Sequence, residues 1–171
     1  QPLYETAASR LDALLKKEGH LEWVQTYFGE RSQADFVVAP ALLNGGSCYG
    51  VRCRNAADRE QLYCMLGVWR TDRGGLPEFA PGMLSTIVHE FCHSYANAIV
   101  DRHEAELSAA AEKLFRPVSG QMRSQAYGNA LTLLRESLVR ACTVRYLRQY
   151  SGVDAARQEI DHNQSRGFAW T

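Results

Sequence analysis

The stretch from Met83 to Val100 contains neither Gly nor Pro, and it carries His89-Glu90-Phe91-Cys92-His93 at its centre. Leu84, Ile87, Val88, Phe91, Tyr95 and Ala98 recur at helical spacing, so the sequence predicts a buried amphipathic helix. At 1.5 Å per residue, such a stretch makes about five turns. His89, Glu90, His93 and Asn97 fall toward the other side. Residues i and i+4 lie one turn apart on one helix face, so two imidazoles can close on one ion. The Glu beside the first His then projects toward the ion's open position, where it can take a proton from water. Two ordinary histidines would also fit the spacing, but the pattern H-E-x-x-H adds the carboxylate where the chemistry needs it. Pro81 and Gly82 suit a helix entry. Asp101-x-x-Glu104 reads as a variant capping box that starts a new helix.

A catalytic zinc takes a third protein ligand and keeps one position open. A third His six residues after the second, with an intervening Gly, is ruled out by Ile99 and Ala96. His103 lies beyond the expected helix break, and Asp101 is accounted for as a cap. The best remaining residue is Glu136, on a second long helix expected from Tyr127, with Ala130, Leu133, Leu134, Leu138, Ala141 and Val144 as its apolar positions. A carboxylate flanked by apolar turns needs a metal or a cation. The competing reading is an ion pair with Arg140 four residues on, worth only tenths of a kcal/mol when exposed. Spacing alone leaves both open.

Two stretches resemble the gluzincins, zinc peptidases in which H-E-x-x-H on one helix is completed by a Glu on a later one. The segments His89 to Asn97, Gln125 to Asn129 and Glu136 to Ala141 more closely resemble a bacterial domain-of-unknown-function family read as metallopeptidases. The similarity covers roughly residues 80 to 150. The resemblance implies Zn2+ held by His89, His93 and Glu136, with Glu90 as the base. The expected reaction is hydrolysis of a peptide bond by Glu-assisted attack of a zinc-bound water, on a peptide or protein substrate. Asn97, Tyr127 and Arg140 are candidates for steadying a ligand or donating to the developing oxyanion, with Arg140 the better suited to steadying Glu136. Tyr127 qualifies only if Gly128 interrupts the helix. Two rival classes share these residues: a catalytically silent module that binds a peptide or protein, and an amidase acting on a non-peptide substrate. An intact Glu90 weighs against the first.

The rest of the chain bounds this reading. Its 171 residues suit one domain, or one domain plus a helical extension, and 46% hydrophobic content allows a proper core; the resemblance implies a single zincin-like domain over 1–171. Lys plus Arg equals Asp plus Glu at 19 each, so nothing steers the chain toward nucleic acid. No apolar run reaches the ~18 residues of a membrane span. The chain opens on Gln1 rather than Met, which reads as trimmed and leaves a signal peptide out of view. Export is slightly favoured over a cytoplasmic location. Five Cys cannot all pair within the chain; Cys48 and Cys53 would staple a loop in an exported protein. No C-x-x-C is present, which argues against a cysteine zinc site. Substrate preference and oligomeric state leave no signal.

The expected architecture is α+β: a mostly helical zincin-like domain with a small mixed β-sheet over the H-E-x-x-H helix. About 1–30 forms an N-terminal helical segment, with helices near 5–18 and 21–28, the latter turning Leu21, Val24 and Phe28 inward. About 34–69 forms the sheet, from Phe36–Ala39, Ser47–Arg54 and Gln61–Trp69, with a turn at Gly45-Gly46. About 82–150 holds the metal-site helices, including one at about 102–116 that ends at Pro117, and a last helix covers about 154–166. Gln61–Trp69 is the candidate edge strand, able to add an extended substrate to the sheet, and reads equally well as a plain core strand.

Overall fold

The computed structural model describes residues 2–29 and 34–170. Gln1, on which the reading of a trimmed chain rests, lies outside them. The chain divides into two compact units, 1–94 and 95–171, and the boundary falls within a single helix.

In the first unit, α1 (Pro2–Glu18) buries Ala7, Leu11 and Leu14, one face at helical spacing. In α2 (Glu22–Phe28) the buried pair is Trp23 and Val24; Leu21 and Phe28 stay half-buried. Trp23 stacks on Tyr27 at 4.7 Å, which takes up much of the aromatic surface of this short helix.

Three strands follow: β1 (Ala34–Pro40), β2 (Tyr49–Arg54) and β3 (Glu60–Leu66), in the order β1-β3-β2. β3 runs parallel to β1, from Ala34↔Glu60 to Pro40↔Leu66, and antiparallel to β2, from Tyr49↔Met65 to Arg54↔Glu60. The sheet is therefore mixed, and the α+β architecture expected from the sequence is the one adopted. The β2–β3 turn is closed by Asn55, whose side-chain oxygen accepts from the Ala57 and Arg59 amides at 3.0 Å each. Asp58 sits there at φ 57°, a conformation that Asp tolerates.

The candidate edge strand is in fact the central one. Leu62, Cys64 and Leu66 alternate as fully buried residues along β3, which a strand flanked on both sides supports. The edges are β1 and β2, and β2 is exposed at every position. β3 also stops at Leu66, short of Trp69. At Gly67 the chain comes so close to the preceding loop that an added Cβ would lie 2.5 Å from the Ser47 carbonyl oxygen. Val68 and the Trp69 indole instead donate to the Gly45 and Gly46 carbonyls, both at 2.8 Å.

Between the sheet and the helix that carries His89 the chain forms a short hairpin with two-residue strands, β4 (Arg70–Thr71) and β5 (Pro77–Glu78). Asp72 organises its turn. Its carboxylate accepts from the Leu76 amide at 2.9 Å and the Gly74 amide at 2.8 Å, and pairs with Arg10 of α1 at 2.8 Å. The Leu76 amide first, then Arg10, hold the Asp72 carboxyl below its ordinary value. A carboxyl depressed on folding stabilises the fold above its unfolded pKa, and that contribution is lost as pH falls through the folded pKa. Asp72→Asn should therefore melt below wild type near neutral pH, and the gap should close as the pH falls below the ordinary carboxylate range. Thermal melts across that range check it; a gap independent of pH would remove Asp72 as the source.

A 3-10 turn at Pro81–Met83 leads into α3 (Leu84–Arg102). Its buried residues include Leu84, Ile87, Val88, Phe91 and Tyr95, as the spacing predicts, while Ala98 is exposed and Ala96 and Val100 are buried in its place. Phe36 of β1 meets Phe91 edge-on at 5.0 Å, so the inner face of the sheet lies over the first half of α3.

The second unit holds the end of α3 with α4 (Glu104–Ser124), α5 (Ala130–Tyr150) and α6 (Val153–Ser165). Ala111, Phe115, Met122, Ala130, Leu133 and Phe168 form its apolar core. Three boundaries differ from expectation. α4 runs on through Pro117 to Ser124. A helix-interior Pro costs about 3 kcal/mol, and Phe115 and Met122, buried on either side of it, offset that cost by packing. Asp101 is not a cap; it lies in the last turn of α3 and pairs with Arg135 of α5 at 2.6 Å. The α5 helix starts at Ala130, not Tyr127, because Asn129 caps it, its side chain accepting from the Thr132 amide at 2.9 Å. No helix among the described residues is long and apolar enough to cross a membrane.

Candidate metal centre

His89 and His93 occupy successive turns of α3, and their Nε2 atoms lie 3.2 Å apart. Their rings meet at 80° with centroids 4.9 Å apart, so both point one nitrogen at the same spot. Ligand nitrogens about 2.0–2.1 Å from a tetrahedral ion stand about 3.3 Å from each other. The imidazole pair thus already has the spacing that such an ion imposes.

Among the described residues, His89, His93 and Glu136 form a group that could hold a metal ion, with one ligand atom from each within 4.8 Å of the others. Two neutral imidazoles and a carboxylate fit a borderline ion such as zinc.

Glu136 is a buried carboxylate, 8% exposed, in the middle of α5. Arg140, one turn on and 6% exposed, reaches it through a single contact, Nη2 to Oε2 at 3.5 Å. Arg140 also donates to Asn163 Oδ1 at 2.9 Å and to the Tyr127 hydroxyl at 3.3 Å, and its guanidinium carbon sits 4.1 Å over the Phe168 ring. Gly128 and Asn129 do interrupt the helix, which brings the Tyr127 hydroxyl to Arg140. Among the described residues, Arg140 Nε and Asn163 Nδ2 are buried without a hydrogen-bond partner. Leaving such a group unsatisfied costs about 1–3 kcal/mol. Asn97 lies one turn beyond His93 on α3, half-buried.

Glu90 faces the sheet at its edge strand. A Cβ added to Gly50 of β2 would lie 3.2 Å from the Glu90 carbonyl oxygen and 3.6 Å from Glu90 Oε2. Glycine there leaves room in front of the carboxylate. A glycine inside a strand marks such close approaches, so a signal for Gly50 was present in the sequence. Asn163 and Phe168 had none: each is a single residue in a polar C-terminal stretch.

Cys48 lies beside this carboxylate. Burial pushes its thiol pKa up; the Gly67 amide, which donates to its sulfur at 3.3 Å, pulls the other way, and the nearby Glu90 charge adds to the rise. It is a protonated thiol at neutral pH. All five Cys are free. The expected Cys48–Cys53 staple fails because residues five apart on an extended chain lie about 16 Å apart and on opposite faces, far beyond the ~4–7 Å of a disulfide.

The family described as "Domain of unknown function (DUF4932)" matches residues 73–171, which span both histidines, Glu90, Glu136 and the Arg140 cluster. No curated protein and no solved structure shows significant similarity to the chain.

Proposed function

The chain belongs to the DUF4932 family, and we propose that it is a zinc-dependent hydrolase, most directly a metallopeptidase of gluzincin type. The observation that supports this is the His89–His93 pair, whose 3.2 Å spacing suits a tetrahedral ion, with Glu90 next to the first His in sequence; Glu136 would be the third donor. When bound, zinc would lower the pKa of a water and polarise the scissile carbonyl. Glu90 takes the water's proton and passes it to the leaving amine. A binding module would need the fold but not this carboxylate.

The edge strand supports a peptide over a small amide. β2 is exposed along its length and runs past Glu90 at Gly50. An extended peptide added along it would bring a backbone carbonyl to the reacting groups. On the other face of the sheet, Tyr49 and Met65 pair across the strands and line a cavity of about 590 Å³ with Leu42 and Leu43. Alternate side chains of a strand-paired substrate fall on that face, so apolar residues are the expected preference.

Metal analysis of purified protein should give about one zinc per chain. A broad peptide library should then reveal zinc-dependent cleavage lost on chelation. Stoichiometric zinc without cleavage of any peptide would favour the silent module or the non-peptide amidase. Gly50→Val is a sharper test of the strand. It should keep wild-type zinc and lose about 10²-fold in cleavage, the scale of a 1 Å misplacement of reacting groups. Unchanged cleavage would remove β2 from the substrate path.

A further inference from the structure

We infer that Asn163 and Phe168 are positioning residues that hold the Arg140 guanidinium off Glu136, and so set how tightly Glu136 can bind a cation. The inference rests on the reading of Glu136 as a metal ligand.

A buried Glu and Arg one helical turn apart would ordinarily close into a two-bond fork, since the guanidinium matches a carboxylate bidentately. Here they do not. The one contact is 3.5 Å long. Arg140 Nη1 is spent on Asn163 Oδ1 at 2.9 Å, and the guanidinium plane is drawn over Phe168 at 4.1 Å. Arg140 Nε stays unpaired among the described residues, although a carboxylate lies one turn away. A fork on Glu136 would satisfy the arginine and compete with a metal for the same oxygens, because both are cations. The anchors leave Arg140 the long contact with Glu136 in place of the fork.

The anchors are themselves held. Gly167, at φ 91°, turns the chain after α6, so the Phe168 amide donates back to the Asn163 carbonyl at 2.9 Å. Gln125 and Arg166 exchange two bonds, at 2.9 and 2.8 Å, that tie this turn to the end of α4. Phe168 is fully buried in the core of the second unit. The segment after α6 is thereby linked to the metal ligand through one guanidinium.

Zinc affinity of the full chain, read by competition with a chromophoric chelator, tests this. Asn163→Ala should weaken zinc binding about tenfold, the low end for residues that orient a ligand. Phe168→Leu, which keeps apolar volume in the core, should weaken it in the same direction. Adding Arg140→Met to Asn163→Ala should restore affinity toward wild type, because no guanidinium remains to close on Glu136. A purely structural role predicts the opposite, a double variant at least as weak as Asn163→Ala. That result, or wild-type affinity in both single variants, overturns the inference. If Asn163→Ala does not fold, Phe168→Leu with and without Arg140→Met decides it alone. Glu136→Gln separates the two layers. Should it bind zinc like wild type, the ligand reading falls and this inference with it. Should it lose zinc while Asn163→Ala and Phe168→Leu keep it, only the positioning role falls.

Discussion

Glu90→Gln is expected to retain zinc at wild-type stoichiometry and to lose peptide hydrolysis by about 10²–10⁴-fold, the usual worth of a positioned general base. The substitution keeps the shape of the side chain and removes its ability to accept a proton. Glu90 is half-buried on α3, against the glycine of an edge strand and beside a protonated thiol. No cationic partner of it is among the ion pairs of the described residues, so the substitution should leave the fold intact. Zinc content and peptide-library cleavage, measured on the same preparation, decide the matter. Cleavage at the wild-type rate with zinc bound would remove Glu90 from the base role and return the chain to the binding-module reading. Loss of zinc together with activity would mean that Glu90 helps to hold the ion.

The α3 helix and the face that carries His89 and His93 could be read from the sequence because periodicity and spacing are local properties. Leu84, Ile87, Val88 and Phe91 are all buried where the pattern put them. Errors arose where distant contacts decide. Pro117 breaks isolated helices, yet Phe115 and Met122 carry α4 through it by tertiary packing. Asp101 matched a capping pattern, but Arg135, distant in sequence, claims its carboxylate. Gln61–Trp69 fits an edge strand and a core strand alike, because both alternate. Strand order depends on the parallel partner β1, which no local signal encodes. Glu136 stood out as a carboxylate flanked by apolar turns, and its burial agrees with that. The anchors of its neighbour Arg140 did not stand out, since Asn163 and Phe168 come into play only through a turn at Gly167 that follows α6.

Glu136→Gln should lower zinc affinity by more than about 10²-fold, because replacing residues that merely orient a ligand already costs about 10–100-fold. The amide oxygen still has the shape to coordinate but carries no charge. The argument can be made in stability as well as occupancy. A ligand that binds only the folded state stabilises it by RT ln(1 + [L]/Kd). With free zinc at about 100 times the wild-type Kd, the wild type gains about 2.7 kcal/mol. A variant bound 100-fold more weakly gains only about 0.4 kcal/mol at the same concentration. Melting each protein with zinc and with chelator therefore gives a difference of differences, and any effect of the substitution on the metal-free fold cancels. That cancellation matters, because Glu136 also touches Arg140 inside the second unit and the variant will change metal-free stability for that reason alone. An equal zinc-dependent rise in both proteins would show that the carboxylate is not a ligand. His89 and His93 would then hold the ion with a third donor from elsewhere in the chain, and the resemblance to gluzincins would end at the helix that carries H-E-x-x-H.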